Sequence, residues 1–311
     1  MRRALLIGAG EVGAKHLAAL AATSRLVVAA VADPAPRAPL PSDVRLFASW
    51  QHALAQVRPE LVVVAAPPGI ALAAARDAAE SGAAVLVEKP VVTSPGALTR
   101  QAGDERVFVA FQPHFAPGVA ALLAAPPPVV RAEVYLSCRR DPAYFRDWRR
   151  TRAGAGGVLH QQAIHGLALA LRLMDAPVTR VDADVEHRRG LAETEDYIAA
   201  DITLEGNRLV RIDARVAAAE GHRHEVLLHT ADGGRLVVRG RNLEAGLGAL
   251  TAAPTHHELR MRMYAAVLEA GAGGAAHPCL FPLSALRRPL EVIDRVYRDA
   301  RVVRAADAAA A

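Results

Sequence analysis

The stretch Ala4–Asp33, ALLIGAGEVGAKHLAALAATSRLVVAAVAD, decides the fold. Apolar Ala4 to Ile7 reads as a short strand, and the Ala-rich segment Glu11 to Ala22 reads as a helix. Between them Gly8, Gly10 and Gly13 stand at G-x-G-x-x-G spacing. A second apolar run, Leu26 to Ala32, ends on Asp33. An acidic residue about twenty positions beyond the last glycine completes the dinucleotide-binding βαβ unit. In that unit Gly8 permits the tight turn, Gly10 lets the backbone approach a pyrophosphate, and Gly13 lets the helix pack close to the strand. The helix N-terminus, with Glu11 and Val12 in its first turn, faces the phosphates. Asp33 would accept hydrogen bonds from a ribose diol and repel a 2′-phosphate, which favours NAD. Pro34 and Arg37 follow in the adjoining loop, and the Arg37 cation keeps NADP open as an alternative.

Composition sets the limits around this unit. The chain has 311 residues, enough for about two domains, and 52% of them are hydrophobic. Aromatic residues make up only 4%, so the interior must be built mostly from Ala, Val and Leu. No segment approaches ~18 uninterrupted apolar residues, so no membrane span is expected. Arg2 and Arg3 precede an apolar run that breaks at Gly8 and soon meets Glu11 and Lys15, which argues against an export signal and for a cytoplasmic chain. The two cysteines, Cys138 and Cys279, form no metal or redox spacing. A net charge of +5 arises from scattered basic residues without a helix-turn-helix, RRM or zinc-finger pattern, so no nucleic-acid partner is expected. Such a surface is either simply solvated or draws an acidic substrate, for example a nucleotide sugar, toward the site. Lys15 and Lys89 are the only lysines in the chain. Where Arg is the default, a Lys can mark chemistry that needs an amine able to lose a proton.

Beyond Asp33 come a Pro-rich loop, Pro34 to Pro41, and a helix from Ser49 to Val57. Leu61 to Ala66 is a continuous apolar run, the mark of a strand buried on both faces, and Pro67, Pro68 and Gly69 end it. A helix from Ile70 to Ser81 stops at Gly82, and a strand from Ala84 to Val87 runs into Glu88, Lys89 and Pro90. A helix from Pro95 to Ala102 and a strand from Val107 to Phe111 follow, with Gln112, Pro113 and His114 at its end. This alternation predicts a doubly wound parallel sheet, an α/β Rossmann domain over residues 1–117. Ligands bind outside the carboxyl ends of such strands, where Gly8, Asp33, Ala66 with Pro67, Glu88 with Lys89, and His114 all fall.

After Phe115 the pattern changes. Strands are predicted at Val129 to Cys138, Thr179 to His187, Tyr197 to Leu204, Leu209 to Val216, Glu225 to Thr230 and Arg235 to Val238. Asp232-Gly233-Gly234 has the composition of a hairpin turn. Helices are predicted from Val158 to Met174, Glu258 to Ala270 and Ser284 to Arg301. Together they imply a second, α+β domain over 118–304 with a large, mostly antiparallel open sheet, and a frayed Ala-rich tail over 305–311.

These motifs, in this order, resemble the glucose-fructose oxidoreductase and inositol dehydrogenase family (Gfo/Idh/MocA). The likeness rests on the Gly-rich start, Glu88-Lys89-Pro90, Trp148-Arg149, Gly156-Gly157-Val158-Leu159 and Gln162-Ala163-Ile164-His165. It implies a nicotinamide-binding first domain, a sugar- or polyol-like substrate, a cis Lys89–Pro90 bond, and homodimers or homotetramers formed through the second domain's open sheet. Hydride exchange at a carbinol carbon needs a titratable group within reach of its oxygen. Lys89 and His165 are the candidate acid–base residues, and Lys89 would need its pKa lowered by burial and cationic neighbours. On a regular helix Gln161, His165, Ala168 and Arg172 share a face off the apolar stripe. Gln161, with His160 ahead of it, takes the place where many relatives carry Asp or Asn, and His114 stands where Arg is frequent. Tyr144, Trp148 and Arg149 either wall the substrate or anchor packing. His222, His224, His256 and His257 lack a third ligand at metal spacing and are read as hydrogen-bonding or solvated histidines. Two further readings stay open: a redox-neutral, NAD-dependent elimination, and a catalytically silent nicotinamide-binding regulator.

Overall fold

A computed structural model of the chain describes residues 1–188, 193–216, 222–245 and 253–303. The predicted tail over 305–311 lies outside the described residues. The first half runs β1 Arg2–Ile7, α1 Glu11–Ala21, β2 Leu26–Ala32, β3 Arg45–Phe47, α2 Trp50–Val57, β4 Leu61–Val64, α3 Pro68–Glu80, β5 Ala84–Glu88 and β6 Val107–Ala110. It continues with α4 Pro117–Ala124, β7 Val129–Ser137, α5 Ile164–Met174, β8 Val178–Glu186, β9 Tyr197–Leu204 and β10 Arg208–Arg215. Then come β11 Arg223–Thr230, β12 Arg235–Arg239, β13 Asn242–Ala245, α6 His256–Gly271, α7 Arg287–Asp299 and β14 Arg301–Val303.

Two compact units emerge. The first comprises Met1–Val92, Leu98–Phe115 and Pro254–Leu286; the second comprises Thr93–Ala97, Ala116–Ala253 and Arg287–Ala311. The range 118–304, read from sequence as one domain, therefore contains a stretch, Pro254–Leu286, that packs within the first unit. Helix α6 shows why. It is started by a capping box between Thr255 and Glu258, and a methyl at Gly271 would lie 2.5 Å from the Ala84 side chain of β5.

In the first unit the strands form one sheet in the order β3-β2-β1-β4-β5-β6 with every pair parallel. Leu61, Val62, Val63 and Val64 of β4 are fully buried, as a central strand covered on both faces requires. Alanines 71, 74, 75 and 78 of α3 are equally buried, so small side chains bring this helix close to the sheet. Helix α3 begins two residues earlier than Ile70 because Pro68 suits the first helical position. The helix expected over Pro95 to Ala102 shrinks to a single 3₁₀ turn, Pro95–Ala97. Its continuation is taken up by bonds to side chains: the Thr99 carbonyl accepts from the Arg76 guanidinium, and the Gln101 N–H donates to Asp104.

The second unit holds an eight-stranded sheet in the order β13-β12-β11-β7-β10-β9-β8-β14. It is mostly antiparallel, with parallel pairs only at β7–β10 and β8–β14. Along β9 the residues Ile198, Ala200, Ile202 and Leu204 are buried, whereas Tyr197, Ala199, Asp201 and Thr203 are part-exposed. One face is thus covered and the other open. Helix α5 lies on the covered face, where a methyl at Gly166 would meet Val134 at 2.5 Å. The helix predicted over Ser284 to Arg301 instead starts as a 3₁₀ turn, Leu283–Leu286, and its last residues leave to pair as β14. Pro289 sits in the first turn of α7, where its missing N–H costs no helical bond. Among the described residues no helix is long and apolar enough to cross a membrane.

Candidate active site

The Gly-rich turn of the first unit is built by steric exclusion. Gly8 has φ +92°, and a methyl there would lie 2.6 Å from the Ala65 carbonyl oxygen. At Gly13 a methyl would lie 2.1 Å from the Gly8 carbonyl oxygen, so α1 can seat against β1 only without a side chain at this position. Gly10 differs, because a methyl there would meet no protein atom within 4 Å. It is the N-cap of α1, and no side chain caps the helix. Backbone N–H groups with the helix's positive end therefore border the turn, which suits a pyrophosphate. The Asp33 carboxylate accepts from Ala9 N at 2.6 Å and from Ala35 N at 2.8 Å. Through these bonds it pins the glycine turn to the β2 loop. The N–H groups of Arg37 and Ala38 donate to the Ala9 carbonyl from the same loop, while Pro34 and the Arg37 side chain stay exposed. Exposed Glu11 pairs with Lys15 at 2.7 Å across one helical turn. After β4 the chain passes through part-buried Ala66 and exposed Pro67 into α3.

At the end of β5 lies a polar knot that sequence reasoning missed. The buried Glu88 Oε1 is 2.8 Å from His16 Nε2 and accepts from Gln112 Nε2 at 2.8 Å. The other imidazole nitrogen of His16, Nδ1, is 2.7 Å from the Tyr264 hydroxyl of α6. Burial pushes the Glu88 carboxyl up, but the His16 hydrogen bond and charge, with Lys89 and Arg260, more than offset it and hold Glu88 below the usual carboxylate range. The knot ties α1, α6 and the turn after β6 to the strand end from which Lys89 leaves. Lys89 is part-buried, and its bond to Pro90 is cis. A polar residue on the buried face of α1 was the available signal for His16. Tyr264, on a helix placed in the other domain, gave none.

His114 does not meet the role read for it. It is 1% exposed, and its ring stacks on Phe111 at 5.2 Å with Phe281 at 6.1 Å, so protein encloses it and leaves no face for a substrate.

In the second unit the predicted helix from Val158 is not regular at its start. A π turn spans Leu159–Ala163 before α5, so faces counted at 100° per residue do not carry across it. Gln161 and Ala168 are buried, and of the expected exposed face only His165 and Arg172 remain part-exposed. Gln161 donates to the Ala155 carbonyl and is 3.3 Å from the Tyr144 hydroxyl, which in turn accepts from Gln162 at 2.9 Å. His165 faces the His224 ring at 6.2 Å. His160, read as a substrate contact, is 1% exposed and packs against Tyr297 at 5.8 Å, which is a core position. The Arg149 guanidinium lies over both Tyr144 and Trp148, at 4.9 and 4.4 Å from the ring centroids.

Beneath the Gly156-Gly157 turn sits a second missed group, Glu195. Its carboxylate accepts from Leu159 N and from the Tyr297 hydroxyl, both at 3.0 Å. A methyl at Gly157, φ +91°, would lie 2.4 Å from its other oxygen. Burial pushes Glu195 up to about 7, although the Leu159 N–H, its own backbone, Tyr297 and Arg152 pull the other way. Among the described residues no group of three His, Cys, Asp or Glu side chains is placed to hold a metal ion.

Taken unit by unit, the parallel sheet with its glycine turn defines a dinucleotide-binding class of protein, here with a second unit on an open sheet. The family comparison makes this specific. Residues 2–103 match the oxidoreductase family with NAD-binding Rossmann fold, and residues 128–240 match the GFO/IDH/MocA C-terminal domain. The chain belongs to the Gfo/Idh/MocA family and is an NAD-binding oxidoreductase. No curated protein sequence matches it. Among solved structures it is similar to the WlbA dehydrogenase from Bordetella pertussis in complex with NADH and UDP-GlcNAcA, at 23% identity, TM-score 0.76 and 96% coverage of both chains. It is similar also to a myo-inositol dehydrogenase from Corynebacterium glutamicum, at 18% identity, TM-score 0.73 and 96% coverage of both chains. GenD2 from gentamicin A biosynthesis, in complex with NAD, matches at 21% identity and TM-score 0.76, over 96% of this chain and 93% of that one. At these identities the likeness establishes the fold.

Proposed function

We propose that this oxidoreductase interconverts a secondary alcohol and a ketone on a sugar- or cyclitol-like substrate. The observation that carries the reading is the strand end at Glu88-Lys89. Glu88 is clamped by His16 and Gln112, so the backbone that launches Lys89 is fixed at the same sheet edge as the glycine turn. The other lysine, Lys15, is an exposed partner of Glu11 and has no such setting. Gly8, Gly10, Gly13, the first turn of α1 and Asp33 would hold the dinucleotide. When bound, the nicotinamide supplies the hydride acceptor or donor. Lys89 takes the proton from the substrate hydroxyl on oxidation and returns it to the carbonyl oxygen on reduction. His165, part-exposed near the start of α5, orients that oxygen or shares the proton. Gln161 acts through Tyr144, which it holds, more than by direct contact.

Deuterium transfer tests this. With NADH carrying deuterium at both C4 positions and a panel of keto-sugars and keto-cyclitols, the label should arrive on the product's carbinol carbon. Label retained in the cofactor, together with a changed substrate, would instead identify redox-neutral elimination. The open face of the eight-stranded sheet is the surface through which we propose that copies of the chain associate.

A further inference from the structure

The arginines of the second unit differ in their partners. Several on the sheet are neutralised: Arg211 meets Asp201 at 2.7 Å, Arg239 meets Glu225 at 2.7 Å, and Arg301 meets Asp184 at 2.8 Å. The segment from Arg139 to Arg152 is different. It carries six arginines against two carboxylates, Asp141 and Asp147. Among the described residues, Arg139, Arg146, Arg149 and Arg150 have no carboxylate within ion-pair distance. Asp141 is spent on the backbone, accepting from Tyr144 N at 3.1 Å.

This positive segment is tied to the helix start that precedes His165. Arg140 and Arg149 lie 5.1 and 4.9 Å from the Tyr144 ring centroid, and Arg140 donates to Gln162 Oε1 at 3.3 Å. The Tyr144 hydroxyl in turn bonds Gln161 and Gln162. Arg149 Nε is shielded from solvent and meets no acceptor among the described residues. A guanidinium stacked on an aromatic ring loses little further freedom when its N–H fork engages an oxyanion. The like charges of Arg140 and Arg149, both held on the Tyr144 ring, repel one another until an anion of more than one charge arrives. A tetrahedral phosphate can accept from more than one fork, whereas a single carboxylate neutralises one.

We infer that the segment from Arg139 to Arg152 recognises a phosphate ester on the substrate, either a sugar phosphate or a nucleoside-diphosphate sugar. The inference rests on the sugar-dehydrogenase reading for the identity of the reacting part, and on the arginine geometry for the anion.

Calorimetric titration of the NAD-saturated protein tests it, with the dinucleotide site filled so that a nucleotide cannot enter there. The probes are inorganic pyrophosphate, UDP and glucuronate. Pyrophosphate and UDP should bind, more weakly as salt is raised, and Arg149→Gln and Arg146→Gln should each weaken them roughly tenfold or more. Arg239→Gln, at a carboxylate-paired position, should leave binding unchanged. UDP binding well above pyrophosphate identifies the nucleoside-diphosphate source; equal binding identifies the sugar phosphate. Absence of both, glucuronate binding as tightly, or full binding in Arg149→Gln and Arg146→Gln with wild-type circular dichroism overturns the inference. Phosphate binding without turnover of any ketone would sink the dehydrogenase reading and leave this site standing. Turnover of neutral ketoses without phosphate affinity would do the reverse.

Discussion

Gly10 and Gly13 belong to one fingerprint but answer to different constraints. A side chain at Gly13 collides with the Gly8 carbonyl, whereas one at Gly10 meets no protein atom. Gly13→Ala should therefore destabilise the first unit, by about 1–3 kcal/mol as overpacking does, and lower the melting temperature. Gly10→Ala should keep the fold within about 1 kcal/mol, the scale of an N-cap change, yet lose roughly tenfold or more in NADH affinity. Thermal melts beside fluorescence titrations check both, and a Gly10→Ala protein that binds NADH normally removes the pyrophosphate from this turn. The fingerprint and Asp33 were legible from their spacing within a strand–helix–strand pattern, and Glu88-Lys89-Pro90 from its likeness to the family's motif. The partners of Glu88 were not. His16 looks like a stray polar residue on a helix, and Tyr264 comes from a segment that reaches the first unit only through the fold.

At the scale of elements, the start of the helix before His165 is held from below. Glu195 accepts the Leu159 N–H there, and its pKa is raised from the usual 4.5 to about 7. Between these values the folded chain keeps a proton that the unfolded chain has released. The stability this adds is fully present below about pH 4.5 and is lost as pH rises through about 7. The loss is on the order of 3 kcal/mol, from about 1.4 kcal/mol per pKa unit. Glu195→Gln keeps the acceptor without the charge, so urea unfolding should show the variant gaining on the wild type from about pH 5 to pH 8. A variant that falls further behind as pH rises would refute the buried carboxyl. This region also shows where periodicity misleads. A π turn at Leu159–Ala163 shifts the faces, so Gln161 is buried although a regular helix would place it beside His165. The Pro95 helix also stops short, since side chains of Arg76 and Asp104 claim its backbone groups.

For the whole molecule, alternation of strands and helices foretold the parallel sheet, and period-two patterning foretold the second, mostly antiparallel one. The short edge strands β3 and β14 escaped, because three residues carry too little pattern. The open sheet face should support self-association. Ala199 lies on that face, so Ala199→Arg should reduce the mass measured by light scattering to that of one chain; an unchanged oligomer would point to another surface.

The proposed chemistry stands or falls with proton movement by Lys89. The measurement that tests it most directly is steady-state NADH oxidation by the wild type and Lys89→Met against the best ketone, with NADH affinity measured in parallel. Lys89→Met should lower kcat/KM about 10²–10⁴-fold with cofactor affinity retained. Equal rates in the two proteins would contradict it.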